Sequence, residues 1–305
     1  MLRGILVPFP TPFDAGGEVD ARALRANIER WNLTGVSGYV ALGSTGERVH
    51  LDERERLGVV EAARGAVPHE LAFVVGVGEQ STRATIADAR RMAGAGADAV
   101  LVLTPHFYRG AMTADVLCEY FSAIADASPV PILLYNIPQN TGVALAPEVV
   151  ARLSLHENIR GLKDSSGDML ALIETLRLVG PERDDFVVMT GHGGALYAAL
   201  CAGARGAILA VGCAAPELCV AVSEAVEAGD YGRARALQAR LAPLAAAVTT
   251  RYGIGGLKAA LDLLGYAGGT AVRAPLRTPG EEARREIARL LEETVGDKER
   301  GTSDP

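Results

Sequence analysis

Lysine is nearly missing from this chain of 305 residues, which carries 27 arginines but only Lys163, Lys258 and Lys298. Cysteine is scarce too: Cys118, Cys201, Cys213 and Cys219 lie in apolar or helical contexts with no CxxC pair. That argues against a disulfide framework or a thiolate zinc site, and all four read as core residues. The five histidines (His50, His69, His106, His156, His192) show no HxH or HExxH spacing, so nothing supports a metal site. Long basic runs are absent and the formal charge is −7, which argues against an electrostatic grip on nucleic acid or a polybasic membrane anchor. The N-terminus MLRGILVPFPTPFDAGG is too short and too interrupted by proline for a signal core or a membrane span. The expected location is therefore the cytoplasm, the expected partner a small molecule, and the sequon-like Asn32-Leu33-Thr34 carries no meaning.

Apolar residues are plentiful, at 49%, and their arrangement is regular. From Gly4 to about Ala228, short Val/Ile/Leu runs alternate with longer helical patterns, the signature of β/α units around a parallel sheet. Eight strand candidates follow in order: GILV from Gly4, GYVAL from Gly38, AFVVG from Ala72, AVLVL from Ala99, ILLYN from Ile132, IRGLK from Ile159, FVVMT from Phe186 and GAILA from Gly206. Helical segments after Asp20, from Asp52 and after Ser81 each open near a side chain able to cap the first turn. The phrases AGAGADAVLV and CAGARGAIL resemble each other as two copies of one unit would.

Eight such units close most economically into a (β/α)8 TIM barrel, because right-handed crossovers leave few topologies. The rival is an open, doubly wound sheet binding a nucleotide. No GxGxxG joins a strand to a helix, the sequence GVGEQS from Gly76 lacking the third glycine, and no GxxxxGK[ST] occurs. After Asp230 three helical stretches follow, YGRARALQARLAPLAAAVTT, GGLKAALDLLG and PGEEARREIARLLEETV. The expected organisation is a catalytic barrel over 1–229, a C-terminal helical extension over 230–295 and a frayed tail over 296–305.

Catalytic groups of such barrels gather at the C-terminal ends of the strands, and three ends here are chemically unusual. Strand two ends in GSTGE, Gly43 to Glu47; strand five in YNIPQNTG, from Tyr135; strand six in Lys163, followed by Asp164, Ser165 and Ser166, which offer caps for the next helix. Two readings of Lys163 stand. It either snorkels from a strand end or serves as a nucleophile, a role arginine cannot fill because its guanidinium does not deprotonate. At the reference pKa only about one amine in 2500 is free at pH 7. Nucleophilic use therefore needs a shift of roughly three units, about 4 kcal/mol, of the kind apolar burial supplies. Neighbouring strands lie ~5 Å apart, which places the Tyr135 phenol within reach. The glycines Gly43 and Gly46 around Ser44 and Thr45 form a turn whose N–H groups can converge on a carboxylate. Glu47 reads as a structural acceptor. His106 and His192 follow strand ends and are candidates for the barrel mouth. Arg48 is either a solvated loop arginine or a reader of a distal carboxylate.

GSTGE, YNIP and GLKDSSGD, in this order, resemble the dihydrodipicolinate synthase and N-acetylneuraminate lyase family of class I, pyruvate-dependent aldolases, from PFPTPF near Pro8 to GYAGG near Gly265. The resemblance implies a barrel with a helical extension, assembled as a homotetramer of two dimers. By motif, Lys163 would form the Schiff base with pyruvate, Tyr135 would shuttle protons and Ser44 would relay them. Thr45 and the backbone of Gly43 to Gly46 would hold the pyruvate carboxylate, and Ile208 would border the pyruvyl group. No cofactor is implied beyond the covalent imine. Asn140 stands where synthases carry an arginine for the aldehyde's carboxylate. Pro105-His106-Phe107-Tyr108 replaces a proline and two tyrosines, leaving Phe107 or Tyr108 at the interface and relay position. The phrases TPHFYRGAM, PQNTG and RYGIGGLKAALDLLGYAGG are similar to the 4-hydroxy-2-oxoglutarate aldolase branch, although Thr45 and Val211-Gly212-Cys213 differ from it. That likeness implies cleavage to pyruvate and glyoxylate. The alternatives are condensation of pyruvate with aspartate semialdehyde, a 2-keto-3-deoxy sugar-acid aldolase or dehydratase, or a silent keto-acid-binding barrel.

Overall fold

The computed structural model describes residues 2–180, 183 and 185–296. Its strands are β1 (Gly4–Val7), β2 (Gly38–Ala41), β3 (Ala72–Val77), β4 (Ala99–Leu103), β5 (Ile132–Asn136), β6 (Ile159–Asp164), β7 (Val187–Thr190) and β8 (Gly206–Ile208). They pair parallel in chain order, and β8 returns to β1 to close the barrel. Strands of this kind bury both faces, which is why their runs are continuously apolar. Leu6, Val40, Val74, Leu101, Leu133, Val187 and Ile208 fill the interior. Their neighbours Val7, Ala41, Val75, Val102, Leu134 and Val188 pack outward against helices, as the two-residue period of a strand requires.

The outer ring is α1 (Ala21–Trp31), α2 (Glu53–Arg64), α3 (Thr82–Gly94), α4 (Ala114–Ala127), the single turn α5 (Pro138–Thr141), α6 (Pro147–Ser154), α7 (Met169–Val179), α8 (Leu196–Cys201) and α9 (Pro216–Glu227). Asp20, Asp52 and Ser81 cap α1, α2 and α3 through their side chains. The two similar phrases after α3 and α8 each turn through a left-handed glycine, Gly96 at φ 102° and Gly203 at φ 110°, a conformation strained for any residue with a Cβ. The extension comprises α10 (Tyr231–Ala246), a π-helical turn (Ala247–Arg251), α11 (Gly253–Leu263) and α12 (Glu281–Val295). The tail expected over 296–305 lies, apart from Gly296, outside the described residues, as does Lys298.

Two local expectations are corrected. Cys201 is exposed, whereas Cys118, Cys213 and Cys219 are buried. It follows Ala199 by two helical positions, about 200° around α8, so burying Leu196 and Ala199 turns it outward. The cap of α7 is Asp168, whose carboxylate accepts from the N–H groups of Leu170 and Ala171, and not Asp164, Ser165 or Ser166. β6 runs on through Asp164, so the helix starts later than the first cluster of capping residues.

Candidate active site

Strand register brings the first two candidates together. Tyr135 on β5 pairs with Lys163 on β6, which pairs in turn with Met189 on β7. Register partners face the same side of a sheet, and Tyr135 and Met189 belong to the barrel interior, so Lys163 points inward. Only 4% of it is exposed. Its Nζ sits 4.4 Å from the centroid of the Tyr135 ring, against the ring face, where the quadrupole attracts a cation. Among the described residues no carboxylate forms an ion pair with it. The phenol oxygen lies 3.3 Å from Ser44 Oγ, so the amine, the aromatic ring, the phenol and the Ser44 hydroxyl form a continuous line. Gly191 leaves room for the lysine: a Cβ there would stand 1.9 Å from Ser165 Oγ and 3.1 Å from Lys163 Cε.

Behind Lys163 the next residue is anchored. Asp164 is buried and accepts from Asn136 Nδ2 at 2.7 Å and from Ser166 Oγ at 2.5 Å. Asn136 Oδ1 in turn accepts from Leu145 N. This network ties β5 to β6 beside the amine, and its members were visible in the sequence only as the polar letters of YNIP and KDSS.

Ser44 to Gly46 form one 3-10 turn in which Gly46 N–H donates to Gly43 O and Glu47 N–H to Ser44 O. The N–H of Gly46 is thus consumed within the turn, and its carbonyl accepts from Thr11 Oγ1 at 2.7 Å. A turn of this type leaves its first N–H groups, those of Ser44 and Thr45, without partners inside it. Leu42 and Glu47, which bracket the turn, are the two left-handed residues other than glycine among the described residues, at φ 55° and 56°. Glu47 is 1% exposed and acts as an acceptor, from Lys258 Nζ at 2.6 Å and from the Arg273 N–H at 2.9 Å. Lys258 is the participant that no local motif announces.

A cavity of about 560 Å³ opens above Lys163, lined also by Tyr135, Ser44, Thr45, Asn140, Ile208, Gln139, Ser166 and His192. The extension completes its wall with Thr249, Thr250, Ile254 and Leu257. Among the described residues no arginine lines it. A smaller cavity of about 230 Å³ shares Ser44, Tyr135, Ile137 and Asn140, includes Gly43, Arg48, His106 and Thr141, and is otherwise walled mainly by apolar residues such as Leu42, Val77, Leu101 and Leu103. Phe107 and Tyr108 stand outside both, each 73% exposed, their rings edge to face at 5.0 Å.

Arg48 is not a solvated loop arginine. It edges the smaller cavity, but its side chain is 11% exposed and bonds to Glu79 at 2.7 Å and Asp88 at 2.6 Å, with a further contact to Gly78 O. Its partners come from the loop and helix after β3, beyond the reach of a local reading. Burial alone would raise the Glu79 carboxyl, but Arg56 and Arg48 outweigh it and hold it below its ordinary value. Among the described residues no group of three or more His, Cys, Asp or Glu is placed to hold a metal ion. No helix among them is long and apolar enough to cross a membrane.

The sequence matches the Dihydrodipicolinate synthetase family over residues 1–294. It is 35% identical over 299 residues, 97% of this chain and 99% of the relative, to a 4-hydroxy-tetrahydrodipicolinate synthase of Methanothrix thermoacetophila. Among solved structures, the dihydrodipicolinate synthase of Thermotoga maritima superposes with a TM-score of 0.92 at 29% identity, covering 97% of this chain and 99% of that one. YagE, a prophage protein of the dihydrodipicolinic acid synthase family from E. coli K12 solved in complex with pyruvate, gives 0.90 at 30% identity, covering 97% and 99%.

Proposed function

The chain belongs to the dihydrodipicolinate synthetase family, whose members are class I pyruvate-dependent lyases working through a lysine Schiff base, and we propose that Lys163 is the lysine that forms it. The supporting observation is the inward amine at the end of β6, packed on the Tyr135 ring and sharing one cavity with Ser44 and Thr45. On this reading Lys163 Nζ attacks the ketone carbon of the 2-oxo acid. The carbinolamine loses water, and Tyr135 supplies and removes the protons, with Ser44 as relay. In the cleaving direction Tyr135 takes the proton of the C4 hydroxyl, the C3–C4 bond breaks, and its electrons enter the iminium to leave an enamine and a free aldehyde. Protonation and hydrolysis then release pyruvate. The imine is itself the electron sink, so the reaction needs no other cofactor. Thr45 and the Ser44–Thr45 backbone hold the carboxylate, and Ile208 borders the methyl end.

We assign 4-hydroxy-2-oxoglutarate as the substrate, cleaved to pyruvate and glyoxylate in the cytoplasm. Asn140 at the mouth, where the synthases resembled above carry an arginine, and the likeness of TPHFYRGAM and PQNTG to the 4-hydroxy-2-oxoglutarate aldolase branch support this over aspartate semialdehyde. The aldehyde's carboxylate, present in both, would meet Asn140 and hydroxyls, since among the described residues no arginine lines the cavity around Lys163 and Arg48 is bonded to Glu79 and Asp88. The second reading, a synthase, is favoured by the name of the Methanothrix relative. The hydroxyls of Ser166, Thr249 and Thr250 also suit a 2-keto-3-deoxy sugar acid. The assembly on this reading is a homotetramer, a dimer of dimers, in which exposed Tyr108 takes the interface and relay place that Phe107, lacking a hydroxyl, cannot fill.

Borohydride reduction in the presence of pyruvate is expected to leave a reduced pyruvyl group on Lys163, located by peptide mass. An adduct on another lysine, or none, refutes the assignment. Turnover of 4-hydroxy-2-oxoglutarate against pyruvate plus aspartate semialdehyde and against a 2-keto-3-deoxy sugar acid then separates the three substrates.

A further inference from the structure

We infer that Lys258 and Glu47 form a positioning pair, through which the C-terminal extension holds the Ser44–Thr45 turn in the shape that binds pyruvate. The inference rests on the reading of that turn given above and adds residues that contact no substrate themselves.

Lys258 lies on α11 with 2% of its surface exposed. Its ammonium donates to Glu47 Oε1 at 2.6 Å and to Ala271 O at 2.6 Å, and it sits 4.2 Å above the Phe13 ring. Burial pushes the ammonium below its ordinary value, against the upward pull of Glu47. The other carboxylate oxygen of Glu47 accepts from Arg273 N at 2.9 Å, with His50 Nδ1 at 3.5 Å. Both oxygens of one buried carboxylate are therefore held by groups of the extension. Groups buried this deeply cost free energy unless the pair is complete, so the arrangement is specific in a way that an apolar contact is not.

The location of Glu47 connects the pair to chemistry. It ends the Ser44–Gly46 turn, at φ 56° and ψ 30°. Leu42, on the other side of the turn, is left-handed as well. Residues with a Cβ stay in that region only where the surroundings over-determine them, and such outliers gather at binding sites. Here the surroundings are the Lys258 ammonium, the Arg273 N–H and the Thr11 hydroxyl on Gly46 O. Leu257, the residue before Lys258, lines the cavity above Lys163. One helix thus walls the substrate space and pins the turn beside it.

The test uses the full chain and two variants, Lys258→Met and Lys258→Met with Glu47→Gln. Methionine fills the space of the lysine stem without pinning anything, and the second change removes the carboxylate stranded by the first. Three quantities are read: the melting temperature, the pyruvate concentration that half-saturates borohydride trapping, and the site of the adduct. The expected result is a half-saturating concentration raised about tenfold or more in both variants, since small misplacements of binding groups are costly. The adduct still forms on Lys163 at saturating pyruvate. The melting temperature falls in Lys258→Met and recovers in the double variant, while the pyruvate requirement does not. A folded double variant that half-saturates within about twofold of the unaltered protein overturns the inference, because packing would then explain the pair. Should Lys258→Met not fold, the double variant decides alone. If the unaltered protein gives no adduct on Lys163, the reading of the site and this inference fall together. If it does and the double variant saturates normally, only the inference falls.

Discussion

Replacing Tyr135 by phenylalanine separates what the ring does from what the hydroxyl does. The ring carries the packing: it is 5% exposed and lies under the Lys163 amine at 4.4 Å, and phenylalanine keeps both contacts. Among the described residues the hydroxyl makes one bond, to Ser44 Oγ at 3.3 Å, beyond the usual range for two hydroxyls. Its loss costs at most ~1 kcal/mol of stability, or roughly 2–4 °C in the melting temperature of a chain of this size. The loss of a positioned proton donor and acceptor costs ~10²–10⁴ in rate, roughly 3–5 kcal/mol of barrier. Catalysis should therefore fall much further than stability. The assay combines a melting curve, kcat for release of pyruvate, and the end-point yield of the borohydride adduct on Lys163. We expect a nearly unchanged melt, a full adduct reached slowly, and a kcat reduced at least about a hundredfold. Ser44→Ala should show a smaller loss, and the double variant should be little worse than Tyr135→Phe, because groups in one relay are not additive. A well-folded Tyr135→Phe enzyme with kcat within about tenfold of the unaltered protein refutes the proton-shuttle assignment.

Two further predictions concern the ion pairs that frame the barrel mouth. Arg48→Met strands the buried Asp88 carboxylate and removes one of two partners of Glu79, so it should cost ~3–5 kcal/mol; chemical denaturation checks this, and an unchanged midpoint would show that the arginine is free to serve the substrate instead. Arg273, through its side-chain hydrogen bonds, holds the Glu55 carboxyl below its ordinary value against the effect of burial. A depressed carboxylate contributes stability that is present above its unfolded pKa of ~4.3 and is lost as pH falls through the lower folded value. The stability gap between the unaltered protein and Glu55→Gln, followed by urea midpoints, should therefore be widest near neutrality and close in acid. A gap independent of pH would contradict the assignment.

The parts of this molecule that could be read from the sequence are those whose determinants are close together along the chain. Each strand is a short apolar run with its own punctuation, so the eight units and their closure followed from local pattern and handedness. The pairing of Tyr135 with Lys163 followed in turn, because consecutive strands of a barrel are neighbours. Contacts between distant segments were another matter. Arg48 finds its carboxylates 31 and 40 residues later, and nothing near Arg48 distinguishes it from a solvated loop arginine. Glu47 and Lys258 are 211 residues apart, and only the folded extension brings them together.

Composition nevertheless carried information that spacing did not. In a chain that uses arginine almost everywhere a cation is wanted, the two described lysines are both buried, at 4% and 2% exposed, and both adjoin the Ser44–Thr45 turn or the cavity it lines. Each has a physical reason to resist exchange for arginine. As the proposed Schiff-base nucleophile, Lys163 needs an amine, because a guanidinium does not deprotonate. Lys258 must place a compact charge between Glu47 Oε1 and Ala271 O, both at 2.6 Å, while resting on the Phe13 ring. A planar guanidinium is larger and spreads its donors in a fork, and the Arg273 backbone already occupies the other oxygen of Glu47. On the two proposals made above, the scarcity of lysine marks two demands made at one end of the barrel, a reactive amine and a compact buried cation that shapes the turn beside it.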